Sequence, residues 1–410
     1  MYLCITPSHG GKDCSTSYMK TTLRFPEKFL WGAACASYQV EGGIENCDWA
    51  VASRQGRVPV CGVACDHYNR YEQDFDIVQK LGHNAHRLSI EWARIEPQEG
   101  VFDAKEVEHY RNVIGALRAR GLEPFVTLWH FTQPTWFSDD GGFEHRGSAE
   151  RFRRYVEFVT KEILVPSGVT FVQTINEPMV WAGNGYLRGV WAPFKKNWFS
   201  HRKVIHNLIR AHKSAYRAIK EIKPELQVSI AKNNMYFPAT NRNPWNMLRS
   251  KIMCYQWNRR FLDHIENELD FIGLNFYKTH FFGPKPVPAP ARSDMGWEIC
   301  PEGLYHVLKE LGAYGRPVYI TENGLADAGD VQRKKYIVDH LAQVHRAIQS
   351  GVDVRGYFYW SLLDNYEWAE GFTKRFGLIE IDFVTQERKI RPSAIAYKEI
   401  CETNVVELEP

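Results

Sequence analysis

Eight apolar runs rich in β-branched and aromatic residues recur along this chain, and stretches with helical spacing lie between them. The runs cover 29–36, 85–92, 123–130, 170–177, 227–233, 270–277, 317–322 and 354–361. Helical spacing shows in Tyr68, Tyr71, Phe75 and Val78, and in Val107, Tyr110, Val113 and Leu117. It shows again in Phe152, Tyr155, Val156 and Val159, and in Ile337, Leu341, Val344 and Ile348. Strand–helix units spread over the whole length predict an α/β fold, a single (β/α)8 TIM barrel over residues 19–410. Its active site is expected at the carboxyl ends of the strands. A doubly wound open sheet is the alternative. No Gly-x-Gly-x-x-Gly turn follows the first run, which weakens the nucleotide-binding form of that fold. Residues 1–18 are polar and turn-rich and read as a flexible N-terminal extension, with Met19 a second candidate start.

Two of the runs end alike. Thr170 to Glu177 and Pro317 to Glu322 are apolar stretches that stop at a glutamate, and Pro178 or Asn323-Gly324 then breaks the run. In a parallel barrel this puts both carboxylates on the active-site face. Two facing carboxylates suit acid-assisted cleavage of a glycosidic bond. The other strand ends carry Gln39 and Glu41, Arg87 to Trp92, Trp129-His130, Asn233-Asn234, Asn275 to Tyr277, and Trp360 with Glu367-Trp368 soon after. Amides, carboxylates, an imidazole and indoles suit a neutral polyhydroxylated ligand. The ring lacks a basic fork for phosphate and a histidine cluster for metal.

The bulk numbers change little. A length of 410 residues suggests two or three domains, but large barrels are the exception to that rule. With 44% hydrophobic and 24% charged residues the chain is ordinary for a soluble globular protein, and a net charge of +3 argues against nucleic acid or membrane as partner. No run approaches 18 apolar residues and none near the N-terminus resembles a signal peptide, so a cytoplasmic protein with reduced thiols is expected. Six of the nine cysteines lie in the first 65 residues. Cys61-Gly-Val-Ala-Cys65-Asp66-His67 has loose metal-ligand spacing without a second ligand pair, and Cys61–Cys65 or Cys4–Cys14 bridges are the other readings. No metal or organic cofactor is expected. Aromatics reach 14%, with 13 Trp, whose flat faces suit sugar rings or simply a large core.

Taken in order, these segments resemble glycoside hydrolase family 1, the β-glucosidase and β-galactosidase family. The matching runs are Phe29 to Gly42, Arg87 to Pro97, Thr127 to Phe131, Thr174 to Pro178, Gly273 to Tyr277, Asp294 to Trp297, Ile320 to Gly324 and Tyr359 to Trp368. The resemblance implies a retaining β-glycosidase acting on terminal β-linked sugars of a small glycoside or oligosaccharide. Glu322 matches the nucleophile that forms a covalent glycosyl-enzyme intermediate, and Glu177 the acid/base. Arg87 and Tyr277 match the nucleophile's partners, which would keep Glu322 ionised and leave Glu177 to hold the proton. Asn176 matches the residue that grips the sugar 2-hydroxyl. Gln39, His130, Glu367 and Trp368 match readers of the other hydroxyls, Trp360 the platform under the ring, and Trp297 an indole beside the leaving group. Cys35 stands where threonine is more usual and reads as a small packing residue.

The chain is shorter than usual for that family. Contractions lie between Phe261 and Phe271 and after Gly324, and both are expected near the leaving-group end of the cleft. Rival readings are a 6-phospho-β-glycosidase, a transglycosylase and an inactive sugar-binding protein on the same scaffold. Glu367 beside a phosphate dianion disfavours the first, and the presence of both glutamates disfavours the last. Sequence does not choose among glucose, galactose, fucose and mannose, nor fix the oligomeric state.

Overall fold

A computed structural model describes residues 21–284, 287 and 289–408. The N-terminal extension, Met19, Cys4 and Cys14 lie outside the described residues. Eight parallel strands close into a barrel in chain order: Leu30–Ala34, Ala85–Ser89, Glu123–Thr127, Phe171–Asn176, Gln227–Asn233, Ile272–Asn275, Val318–Asn323 and Val354–Trp360. The first pairs with the last, from Leu30 opposite Gly356 to Ala34 opposite Trp360. Seven of the eight strands lie within a predicted run, and Val318–Asn323 extends one residue past the run 317–322. The helical patterns fall on His67–Lys80, Ala104–Ala119, Ser148–Val159 and Arg333–Gln349, with Phe75, Tyr110, Phe152 and Leu341 buried against the strands. Thr21–Arg24 pairs antiparallel with Val405–Leu408 and ties the two ends of the described chain together.

The barrel interior is layered. At its amino end Phe125, Phe171, Phe271, Tyr319 and Phe358 form an aromatic plug. Phe125 and Phe171 stack with centroids 4.3 Å apart, and Phe358 lies 4.7 Å from Phe125. Toward the carboxyl end the inward positions turn polar: Arg87, Thr127, Gln173, Asn275 and Thr321 interlock there. Gly273 is small because a Cβ would lie 2.2 Å from Gln173 Nε2.

Strict alternation from Phe171 and Tyr319 would point Ile175 and Asn323 inward. Register shifts between Gln173 and Asn176, and between Ile320 and Asn323, break that alternation. Ile175 packs in the outer core, Asn323 bonds Tyr336 and the Phe276 carbonyl, and Asn176 and Glu322 face the barrel mouth instead. Strand irregularities of this kind re-aim side chains beside active sites. Gly324 follows because a Cβ there would lie 1.7 Å from the Trp360 carbonyl oxygen.

The segment after the last strand carries Glu367 and Trp368 and is pinned from behind by buried Asp364. Asp364 accepts from Arg391 Nη1 and Nη2 at 2.9 Å each and from the Gly377 N–H at 2.8 Å. Arg391→Ala leaves that carboxylate with the Gly377 N–H and, as its remaining cation among the described residues, Arg375 at 3.3 Å. Breaking a buried pair costs about 3 kcal/mol, so the urea midpoint should fall clearly; an unchanged midpoint would contradict this role.

The described cysteines take no metal arrangement. Cys61 Sγ donates to the Tyr38 carbonyl at 3.2 Å and Cys65 Sγ to the Asp364 carbonyl at 3.0 Å. Both are free thiols, and His67 is bonded to Asp74 at 2.8 Å. No cluster of three or more metal-binding side chains occurs among the described residues. Cys35 is a buried packing residue, with its sulfur 3.2 Å from His86 Nε2. No described helix is long and apolar enough to cross a membrane.

Candidate active site

A cavity of about 670 Å³ opens at the carboxyl ends of the strands, and Glu177 and Glu322 both line it. Glu322 is the penultimate residue of the Val-Tyr-Ile-Thr-Glu-Asn strand and lies against Arg87 of the second strand; Tyr277 OH donates to its Oε2 at 2.7 Å. Arg87 is almost wholly buried, so the negative charge of Glu322 is met at contact by a guanidinium shielded from water.

Glu177 sits one residue past its strand. Its φ of 41° is left-handed, its N–H donates to the Ala231 carbonyl at 2.7 Å, and Pro178 then starts a short helix. A non-glycine residue in this region stores strain, as active-site residues often do. The carboxyl has only amide partners: Asn275 Nδ2 at 2.9 Å and Asn233 Nδ2 at 3.2 Å, both to Oε1. Burial first, and then the charge of Glu322, push its pKa up to about 7. The two glutamates therefore have unlike surroundings: a cation and a phenol on one, neutral amides on the other.

Asn176 joins the two halves. Its Oδ1 accepts from Arg87 Nη2 at 2.7 Å and from Asn275 Nδ2 at 3.2 Å. Arg87 can only donate, so this fixes the amide and turns Nδ2 toward His130 Nε2 at 3.0 Å. Burial and Arg87 hold the imidazole well below its usual pKa, hence neutral. Since Nε2 accepts, the ring proton sits on Nδ1, which has no partner.

Among the predicted site residues, two further buried atoms lack partners: Gln39 Oε1 and Glu367 Oε2. Gln39 is wholly buried, with Nε2 donating to Asn365 Oδ1 and the Tyr366 carbonyl. Burial and the nearby Glu322 and Glu177 push Glu367 up to about 8. Unpartnered buried polar atoms are costly unless a ligand or water completes them. Trp360 and Trp368 line the cavity, and each lies nearly parallel to the His130 ring, 6.0 and 6.1 Å away. Trp297 stands at the same cavity, edge-on to Tyr277 at 5.7 Å.

The structure thus gathers the predicted site residues at one cavity, with Arg87 behind its wall, bonded to Glu322 and Asn176, and Gln39 outside its lining. Sequence reasoning placed Asn233 and Asn275 at strand ends without giving them the task they have, bonding Glu177. It also left out Trp191, Trp257, Met295, Arg188 and Lys278, which line the cavity too. Strand-end position was the available signal for the two asparagines. Trp181 is fully buried packing, and Trp136 bonds the Glu96 carbonyl away from the cavity. Neither the shortened segment 261–271 nor the brief loop after Gly324 contributes a lining residue.

Comparison with known proteins agrees with this geometry. The family described as Glycosyl hydrolase family 1 matches residues 21–266 and 284–406. A 1,4-β-D-glucan glucohydrolase of Thermotoga neapolitana is 36% identical over 443 aligned residues, covering 93% of this chain and 99% of that protein. A β-glycosidase structure from Pyrococcus horikoshii superposes with a TM-score of 0.88 at 38% identity, covering 95% of this chain and 97% of that one. A β-glucosidase from Thermotoga maritima in complex with glucoimidazole gives 0.87 at 34% identity, covering 93% and 99%. The chain is a glycoside hydrolase and belongs to glycosyl hydrolase family 1.

Proposed function

We propose that this enzyme is a retaining, β-glucosidase-like β-glycosidase that removes terminal β-linked sugars through a covalent glycosyl-enzyme intermediate. Glu322 is the nucleophile and Glu177 the acid/base. The unlike surroundings of the two carboxyls carry this reading. Glu322, its charge balanced by Arg87 and oriented by Tyr277, attacks the anomeric carbon as the C–O bond breaks. Glu177, neutral below about pH 7, gives its proton to the departing oxygen. Once deprotonated it takes a proton from water, whose oxygen displaces Glu322 from the same carbon. Two inversions return the β-anomer.

The unfilled atoms fit a sugar. Gln39 Oε1 accepts from a hydroxyl, His130 Nδ1 donates to one, and the free Glu367 oxygen serves another. Asn176 Nδ2 has a second hydrogen beyond the one given to His130, free for the 2-hydroxyl. Trp360 and Trp368 offer apolar faces to the ring. The site residues act without a bound cofactor in this scheme.

The test is stereochemical. Proton NMR of the first product from nitrophenyl β-glucoside should show the β-anomer before mutarotation, and first-formed α-glucose would refute the retaining scheme. A panel of nitrophenyl β-glycosides ranks glucose against galactose, fucose and mannose. Nitrophenyl β-glucoside should also exceed its 6-phosphate by at least about tenfold in kcat/KM, since the reader Glu367 repels or fails to pair with a dianion. Preference for the phosphate would instead select the 6-phospho-β-glycosidase reading.

A further inference from the structure

We propose that the outer end of the cavity is a subsite for an anionic leaving group, bearing a carboxylate on a phenol or on a uronic-acid sugar, held by Lys278 with Arg188. The inference rests on the β-glycosidase reading and names its leaving group. Lys278 directly follows Tyr277, and its Nζ lies 3.8 Å from the centroid of Trp297, the indole assigned to the leaving-group side. The side chain is half-buried, yet among the described residues its ammonium has no hydrogen-bond or ion-pair partner, only that ring face. Arg188 reaches the same cavity from the segment Gly183–Arg188 that continues the helix after Glu177. Its guanidinium bonds only the Asn184 side chain, at 2.9 Å.

The two cations are close enough to repel. Burial, and after it Arg188, press the Lys278 pKa down to about 8. An anion between them would relieve both the repulsion and the desolvation. The other charged groups do not supply that anion. Glu177 and Glu367 face Lys278 from deeper in the cavity but are pushed up to about 7 and 8 themselves, hence largely neutral at pH 6. Glu322 is matched by Arg87, and the exposed Glu370 on the rim makes no ion pair with either cation. A neutral aglycone would leave two unpaired cations at the mouth, with Trp297 covered on one face by an ammonium.

The test compares 4-carboxyphenyl β-glucoside with its neutral 4-carbamoylphenyl counterpart at pH 6 and low salt. The ratio of their kcat/KM values, compared between enzymes, cancels the difference in leaving-group ability. Lys278→Met keeps an apolar stem on Trp297 and removes the charge. Its carboxylate-to-amide ratio should fall about tenfold from wild type, mostly through KM. Arg188→Gln, on an exposed side chain, should lower the ratio in the same direction without touching the fold. Glucosyl-β-1,4-glucuronic acid against cellobiose repeats the comparison with the carboxylate on a sugar, and the pair that responds identifies the source. Unchanged ratios in both variants, with the neutral glucosides still turned over, would overturn the anionic subsite alone. Failure of wild type to cleave any of these glucosides would overturn the proposed function and this inference with it. A preference for a glucoside 6-phosphate that Lys278→Met removes would put the anion on the wrong side of the scissile bond and also refute it.

Discussion

Glu322→Ala should reduce hydrolysis of nitrophenyl β-glucoside by at least about 10⁴-fold, because the covalent path loses its nucleophile while binding and acid groups remain. Added azide should restore turnover and yield the α-glucosyl azide. The argument is one of space and charge. Truncation empties the volume on the α-face of the anomeric carbon and leaves Arg87 buried without its anion. Azide fits both needs: it is small, nucleophilic and negative, and it takes the place of the carboxylate beside the guanidinium. Glu177 still protonates the departing oxygen as the C–N bond forms, and a single displacement inverts the centre. The azide product has no base-assisted return path, so the α-configuration persists and is read directly by NMR. Rescue also shows that the variant is folded, which separates loss of chemistry from loss of structure. Undiminished activity in the variant, or a β-azide as product, would remove Glu322 from the proposed role.

Much of this site was legible from sequence because its residues lie at the ends of apolar runs. Strand ends in a parallel barrel converge on one face, so run boundaries alone group Glu177, Glu322, His130 and Trp360. What the runs could not give is orientation. Period-two alternation sends Ile175 inward, and only the register shift before Asn176 reverses this. Nor does the pattern show that Asn233 and Asn275 converge on one oxygen of Glu177, since hydrogen-bond geometry depends on the stagger between strands. Lys278 was illegible for another reason. A lysine after a strand normally reads as a solvated surface charge, and only packing against Trp297 makes it half-buried and unpaired. The cysteine segment is the opposite case: Cys61, Cys65 and His67 are close in sequence, but each takes a different partner, and that of Cys65 is the distant Asp364 carbonyl.

Glu177→Gln is the second decisive variant, and its effect should depend on the leaving group. Glutamine keeps the Oε1 acceptor for Asn233 and Asn275 and keeps the left-handed backbone no worse than before. What it loses is the proton. For cellobiose or an alkyl glucoside, whose leaving oxygen cannot depart as an anion, cleavage should fall about 10²- to 10⁴-fold. For 2,4-dinitrophenyl β-glucoside the first bond breaks without help, so that step survives. Its return step then lacks a base, and the intermediate accumulates: a burst of dinitrophenol, followed by a slow steady state with a lowered KM. The pH profile gives an independent reading. In the wild type, kcat/KM for an unactivated glucoside requires Glu177 protonated and should decline as pH rises through about 7, the value that burial and Glu322 impose. The glutamine variant cannot lose that proton, so the alkaline limb near pH 7 should vanish from its residual activity. Equal losses on activated and unactivated substrates, or an unchanged alkaline limb, would mean that the proton comes from elsewhere. Glu367 is then the group to test, since it shares the cavity and its pKa is pushed up to about 8.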